Sequence, residues 1–117
     1  MPTKHTILIQ KRYLDFIESS LKTIEGRVNR SNYSKISEGD QIDFVSVEQP
    51  QKTLSCCVKA VHLFKTFREM LENLGIENCL PGISKLEEAE KIYLSFPNYK
   101  EDERKFGVIA FKIAIQK

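Results

Sequence analysis

The sequence predicts an α+β domain built around a small, strongly curved β-sheet or barrel. Its 117 residues are 41% hydrophobic and 29% charged, which suits one modest core, so we predict a single domain over residues 1–117. The patterns follow in the order strand, helix, short strands, two longer strands, two helices and strand. A few strands with helices between them are typical of the α+β class.

The first third predicts a strand, a helix and an extended segment. The β-branched run His5–Gln10 is typical of a strand. Residues 11–21 place apolar side chains at helical spacing and predict a short helix. Residues 23–27 look extended, and Gly26 within them could allow a bend or the close approach of another group.

The middle third predicts two strands joined by a polar loop. A turn at residues 38–40 precedes a strand over about residues 41–47, and residues 48–52 form the loop. Residues 53–64 then predict a longer strand. The period of two puts one set of its side chains on a common face: Leu54, Cys56, Val58 and Ala60.

Two helices are predicted next, each from a capping box. In the first, Thr66 is expected to cap the helix while Glu69 reaches back to it, and Ser84 and Glu87 repeat the pattern in the second. Gly75 and Pro97 are typical of the positions that follow a helix.

The remaining segments complete the chain. Residues 76–82 are interpreted as a turn and residues 98–105 as a charged loop. Residues 106–117 alternate apolar side chains with a period of two and give the clearest strand signal in the sequence.

The charge is unevenly distributed along the chain. The formal net charge is only +2, but residues 1–35 contain seven basic and three acidic side chains. This basic first third is a weak indication of contact with phosphate or nucleic acid.

Other features bear on compartment and metal binding. The sequence lacks an apolar run long enough to span a bilayer, and its start lacks the apolar region of a signal peptide, so we predict a cytoplasmic protein with no membrane partner. Cys56, Cys57 and Cys79 form no CxxC pair and are interpreted as structural thiols. We predict no metal and no cofactor.

The segment "LKTIEGRVNR" holds four charged residues around Gly26: Lys22, Glu25, Arg27 and Arg30. From spacing alone, a solvated turn with weak surface ion pairs is the simpler interpretation. The alternative is the wall of an anionic-ligand site, in which arginine suits phosphate and a partly desolvated lysine acts as a general base.

Three stretches in series resemble one known family. They are "LKTIEGRVN" followed by "SKISEGDQIDF", then "FKTFREMLENLGIENCLPG", then "EEAEKIYLSFPNYKEDERKFGVIAFKI". Together they resemble the ASCH domain, the activating-signal-cointegrator homology domain, whose fold is similar to the PUA domain. The resemblance covers about residues 9–115. It implies a PUA-like β-barrel of about five or six strands with flanking helices.

The resemblance also implies a ligand and site residues. ASCH domains are generally proposed to bind RNA or nucleotide-like ligands in a cleft between barrel and helices. Residues that the resemblance and the charge pattern place at such a site are Lys22, Thr23, Glu25, Arg27 and Arg30. Tyr33 or Tyr99, each in a predicted loop, could stack on a base.

One bacterial branch of the family is an amidohydrolase that deacetylates acetylated cytidine, using a lysine, a threonine and a glutamate. The lysine falls on Lys22 and the glutamate on Glu77, or on Glu72 with a shifted register. The threonine is replaced by Glu25. If the chain is an enzyme, Lys22, Glu25 and Glu77 are the candidate catalytic residues.

Three functions therefore remain open from the sequence. The first is a module that binds RNA or a nucleotide-like ligand. The second is a small amidohydrolase acting on an acylated nucleoside, or a ribonuclease as reported for another family member. The third is an interaction domain without a small ligand. The oligomeric state is not predicted.

Overall fold

The computed structural model describes residues 2–116, and in that range the chain forms five strands and six helices. The strands are β1 Lys4–Ile9, β2 Ile24–Val28, β3 Gln41–Ser46, β4 Thr53–Phe64 and β5 Val108–Ile115. The helices are α1 Lys11–Glu18, α2 Ser31–Ser34, α3 Phe67–Leu74, α4 Ile76–Cys79, α5 Leu86–Leu94 and α6 Tyr99–Phe106. None of these helices is both long and apolar enough to cross a bilayer.

All five strands join one sheet in the order β1-β3-β4-β5-β2. Strand β1 runs parallel to β3, and the other neighbours are antiparallel. The sheet curves until its two edge strands approach each other. Arg27 Nη2 of β2 donates to the Leu8 carbonyl of β1 at 2.9 Å, which shows how close the two edges are. The result is a half-barrel whose opening is bridged by a side chain, which confirms the predicted α+β class and curved sheet.

Strand β4 contains an irregularity that changes which of its alternating side chains face the core. Its pairing with β5 shifts between Val58 and Ala60, so Lys59 lies in a β-bulge. Cys56 and Val58 face the core as predicted, but beyond the bulge Val61 rather than Ala60 packs against it. The extra residue is the reason that a strict period of two failed here.

One predicted capping box is confirmed for its Thr66 hydroxyl, and the other is wrong. The Thr66 hydroxyl accepts from the Glu69 backbone N–H at 3.1 Å and begins α3. Helix α5 begins one residue later than the second box requires, with Lys85 at the cap position and no side-chain hydrogen bond there. Its first turn instead contains Glu87 and Glu88, which favour the positive end of the helix dipole.

Two loop predictions are also corrected. Residues 98–105 were expected to form a charged loop, but Tyr99–Phe106 is helix α6. Its acidic residues lie in the first turn and its basic residues in the last, which complements the helix dipole, and Gly107 ends it with a φ of 74°. The turn predicted at 76–82 contains the single helical turn α4.

The apolar side chains form two clusters on the sheet. One contains Phe44 and Phe111 and includes residues of α1. The other packs α3, α4 and α5 against β2 and β5, with Phe67 and Met70 fully buried. Tyr13 contacts both clusters. Strand β2 therefore has helices against it, and this contact positions the candidate site.

Candidate functional site

A pocket of about 350 Å³ opens where β1, β2 and the α5–α6 connection meet. We call it the triad pocket, because Lys22, Glu25 and Arg27 line it together. Four aromatic side chains also line it: Tyr13, Tyr93, Phe96 and Tyr99. The charged and aromatic groups come from different parts of the chain and meet only in the folded structure.

The three charged groups form one buried ion cluster. Glu25 Oε2 accepts from Arg27 Nε at 2.7 Å, and Glu25 Oε1 lies 3.3 Å from Lys22 Nζ. The exposed fractions of the side chains are 3% for Lys22, 7% for Glu25 and 15% for Arg27. These are not the solvated surface pairs that spacing alone favoured. Two cations around one carboxylate leave the cluster with one net positive charge.

Lys22 is held by backbone as well as by Glu25. Its Nζ donates to the carbonyls of Ile24 and Cys79, each at 2.6 Å. These carbonyls take two of the three N–H donors of the ammonium group, and the Glu25 carboxylate is its ion-pair partner. Lys22 therefore ties β2 to α4.

Burial and neighbouring charge shift the pKa values of Glu25 and Arg27 in opposite directions. Burial alone would raise the pKa of Glu25, but the charges of Lys22 and Arg27 outweigh it and hold that pKa below its ordinary value. Burial would lower the pKa of Arg27, but the Glu25 carboxylate raises it overall. Glu25 is thus an ionised acceptor and Arg27 a permanent cation.

Gly26 allows a close approach, one of the two roles that the sequence suggested for it. A Cβ at this position would lie 2.4 Å from Sδ and 2.8 Å from Cε of Met70. Met70 is fully buried on α3. The absent side chain therefore lets α3 pack directly on β2, beneath the ion cluster. The Lys22 side chain is long enough to reach Glu25 while Gly26 remains within strand β2.

The aromatic side chains that line the triad pocket, which we call the aromatic wall, belong to a packed cluster and are not free rings. Phe67 stacks between Tyr93 and Tyr99, with ring centroids 4.6 and 5.6 Å away, and Phe96 meets both tyrosines edge-on. The Tyr93 hydroxyl is buried and has no hydrogen-bond partner within residues 2–116. A buried hydroxyl beside a pocket commonly finds its partner in a bound molecule or water.

The structure brings together three of the predicted site residues and separates the others. Glu77 is exposed on α4 and lies outside the triad pocket, as does Glu72 on α3. Thr23 lines a different cavity, of about 250 Å³. Arg30 pairs with Asp102 and lies over the Tyr99 ring, so it sits behind the wall. Lys22 and Glu77 therefore do not line a common pocket in this structure.

Sequence reasoning missed part of the wall. Tyr13, Tyr93 and Phe96 were not among the predicted site residues. Tyr99 was a stacking candidate and does line the triad pocket, although from a helix. Across residues 2–116 there is no group of three or more histidine, cysteine, aspartate or glutamate side chains placed to hold a metal ion.

Comparison with known proteins gives the family. The model of the ASCH domain matches residues 7–116. The hypothetical protein PH0355, of known crystal structure, is 35% identical with a TM-score of 0.85, over 97% of this chain and 99% of that one. Protein PF0455 from Pyrococcus furiosus, solved by NMR, is also 35% identical, with a TM-score of 0.78 over 97% and 98%. No curated protein matches the chain.

A more distant similarity supports the same fold. The crystal structure of ASCH from Zymomonas mobilis has a TM-score of 0.65 at 11% identity, over 97% of this chain and 67% of that one. The half-barrel with its flanking helices is thus a PUA-like fold. The chain belongs to the ASCH domain family.

Proposed function

We propose that the protein binds a nucleobase, in a nucleotide or an RNA strand, in the triad pocket. The observation that carries this proposal is the pairing of aromatic walls with a fixed set of hydrogen-bonding groups, Glu25 and Arg27, in one pocket. Its volume of about 350 Å³ lies within the range of small-molecule sites. Aromatic stacking contributes about 1–3 kcal/mol per base.

The polar groups suit the edge of a base. Each Glu25 oxygen takes one contact from a cation and keeps a lone pair for an N–H group of the ligand. Arg27 uses three of its five N–H groups, toward Glu25, Tyr33 and Leu8, which leaves two for an acceptor. The Tyr93 hydroxyl adds a group that can donate or accept. Mixed donors and acceptors beside stacking rings are the usual means of recognising an unpaired base.

The amidohydrolase alternative has weaker support. The threonine of that branch is replaced by Glu25, whose carboxylate is engaged by Lys22 and Arg27. Lys22 donates to two backbone carbonyls and pairs with Glu25, and Glu77 lies outside the pocket. The ribonuclease alternative draws no specific support from the described residues.

The proposal is tested by NMR titration of the isotope-labelled protein with the four ribonucleosides, their 5′-monophosphates and four homo-oligoribonucleotides. We expect at least one ligand to shift the Gly26 amide and the aromatic signals of Tyr93 and Tyr99. Phe96→Leu removes one ring from the wall and should weaken binding about tenfold, as the loss of one stack implies.

Phe106→Leu is the matched control. Phe106 is 49% exposed and lines no part of the triad pocket, so its replacement should leave the affinity unchanged. Equal losses in Phe96→Leu and Phe106→Leu would show that the effect is not local to the pocket. If none of the ligands shifts pocket signals in the wild-type protein, the proposed function is wrong.

A further inference from the structure

We propose that a second cleft, on the other side of Arg27, holds the phosphate of the nucleotide whose base occupies the triad pocket. This inference rests on the proposed function. The cleft has a volume of about 480 Å³ and is formed by Lys4–Leu8, Arg27, Asn32, Tyr33, Lys35 and Ile36. We call it the β1 cleft, because strand β1 supplies one whole side of it.

The charged side chains that line the β1 cleft are all basic. Lys4, Lys35 and Arg27 line it, and no carboxylate does. Lys4 and Lys35 are exposed, and within residues 2–116 neither forms an ion pair. Exposed ammonium groups of this kind attract phosphate without the cost of first breaking a protein contact.

Two acidic side chains nearby are already engaged. Asp40 accepts from the side chain of His5 and from backbone N–H groups of Thr3 and Ser37. Asp43 accepts from Gln41 and Ser55. Neither carboxylate lines the β1 cleft, so the lysines remain the groups that a ligand meets first.

The backbone of β1 adds neutral donors. At the two ends of the β1–β3 ladder, Gln41 N–H donates to Thr3 O and Val47 N–H donates to Ile9 O. In a parallel pair the residues that bond to one neighbour alternate along the strand, so the even residues of β1 direct their N–H and C=O groups to the open edge. The Leu8 carbonyl, which accepts from Arg27, follows this pattern. The N–H of Thr6 is therefore available to a phosphate oxygen.

The β1 cleft and the triad pocket are adjacent. Both are lined by Arg27 and Leu8, whose side-chain-to-carbonyl hydrogen bond forms the boundary between them. A nucleotide joins a planar base to an anion through a sugar, and this is the sequence of aromatic and cationic surfaces that crosses the boundary. The ligand class is thus a phosphorylated nucleoside rather than a free one.

The test compares ribonucleosides, their 5′-monophosphates and dinucleoside monophosphates in NMR titrations of the full chain. We expect monophosphates to bind roughly tenfold more tightly than nucleosides and to shift the amides of Thr6 and Lys35 as well as Gly26. A dinucleoside monophosphate that binds more tightly still would identify a phosphate within a strand, and a preference for the monoester would identify a terminal one. Both results support the inference.

Charge reversal supplies the matched variants. Lys4→Glu combined with Lys35→Glu should weaken monophosphate binding roughly tenfold and leave nucleoside binding unchanged, since both side chains are exposed and remote from the base. The control combines Lys59→Glu with Lys112→Glu, two exposed lysines outside both cavities, and makes the same change in net charge. Its affinities should match the wild type.

The failure of this inference is distinguishable from that of the proposed function. Nucleosides and monophosphates that shift triad-pocket signals with equal affinity would overturn the phosphate site and leave base binding intact. Equal losses in the two double variants would also overturn it, because the effect would then be one of total charge. Shifts confined to the β1 cleft, with none in the triad pocket, would refute the proposed function and the nucleotide form of the inference together.

Discussion

Arg27 lies between the triad pocket and the β1 cleft. Both contain lysine side chains, which are buried in the first and exposed in the second. In the triad pocket, Lys22 is 3% exposed, donates to two carbonyls and pairs with Glu25. In the β1 cleft, Lys4 and Lys35 are exposed, and no acidic side chain within residues 2–116 pairs with them. Lys22 holds protein groups in place, whereas Lys4 and Lys35 are available to a ligand. The number of charges in a segment therefore does not identify the groups that bind.

The largest expected effect comes from breaking the buried cluster. Glu25→Ala leaves Lys22 and Arg27 buried without their carboxylate, and loss of one partner of a buried pair costs about 3–5 kcal/mol in the free energy of unfolding. Chemical denaturation measures it. Glu77→Ala removes an exposed carboxylate and should change the same quantity by less than about 0.5 kcal/mol. Similar values for the two variants would contradict the distinction between buried and exposed charges.

The next effect concerns the packing beneath the cluster. Gly26→Ala places a methyl group against the buried end of Met70, and overpacking of this kind costs about 1–3 kcal/mol. Met70→Ala frees this space, so the double variant should lose less free energy of unfolding than the sum of the two single losses in a double-mutant cycle. Additive losses of unfolding free energy would show that Met70 does not limit the approach of β2 to α3.

A smaller effect concerns Asp40, whose contribution to the free energy of unfolding depends on pH. Hydrogen bonds from the Ser37 backbone, then from His5 and Thr3, lower the pKa of Asp40 to about 2 from an ordinary 3.8. The carboxylate therefore adds stability that is complete above pH 4 or so and is lost as the pH falls toward 2. Asp40→Asn should flatten this acid loss in denaturation series between those pH values. Glu38→Gln, an exposed change in the same turn, should retain the steep loss, and an equally steep loss in Asp40→Asn would exclude Asp40 as its source.

The smallest effect on stability belongs to the exposed lysines. Lys4→Glu and Lys35→Glu should each change the free energy of unfolding by less than about 0.5 kcal/mol, because neither side chain is buried or ion-paired within residues 2–116. Denaturation curves that overlay the wild type are the expected result. A loss of 2 kcal/mol or more would place these lysines in the structural group with Lys22.

Local rules predict part of the site and not its assembly. Glu25 and Arg27 share a face because they are two residues apart on a strand, and the Thr66 cap follows from its capping box. Helix α6 carried readable signals, since its charges are arranged along the dipole and Gly107 follows it; the density of charge led instead to a loop prediction.

The remaining errors concern positions set by tertiary packing. Glu77 and Cys79 lie in the same helical turn, and the rotation that buries Cys79 leaves Glu77 exposed. Lys4 and Lys35 are brought to one cleft by the parallel pairing of β1 with β3 and by the closure of the half-barrel. A period or a spacing contains no information on either arrangement.

Crystal structures of the protein grown with each of the four ribonucleoside 5′-monophosphates would show directly where the base and the phosphate bind. We expect, for at least one of them, a base in the triad pocket beside Glu25 and Arg27, and a phosphate in the β1 cleft against Lys4 and Lys35. A base bound elsewhere on the protein, or a nucleotide whose phosphate points away from the β1 cleft, would contradict it.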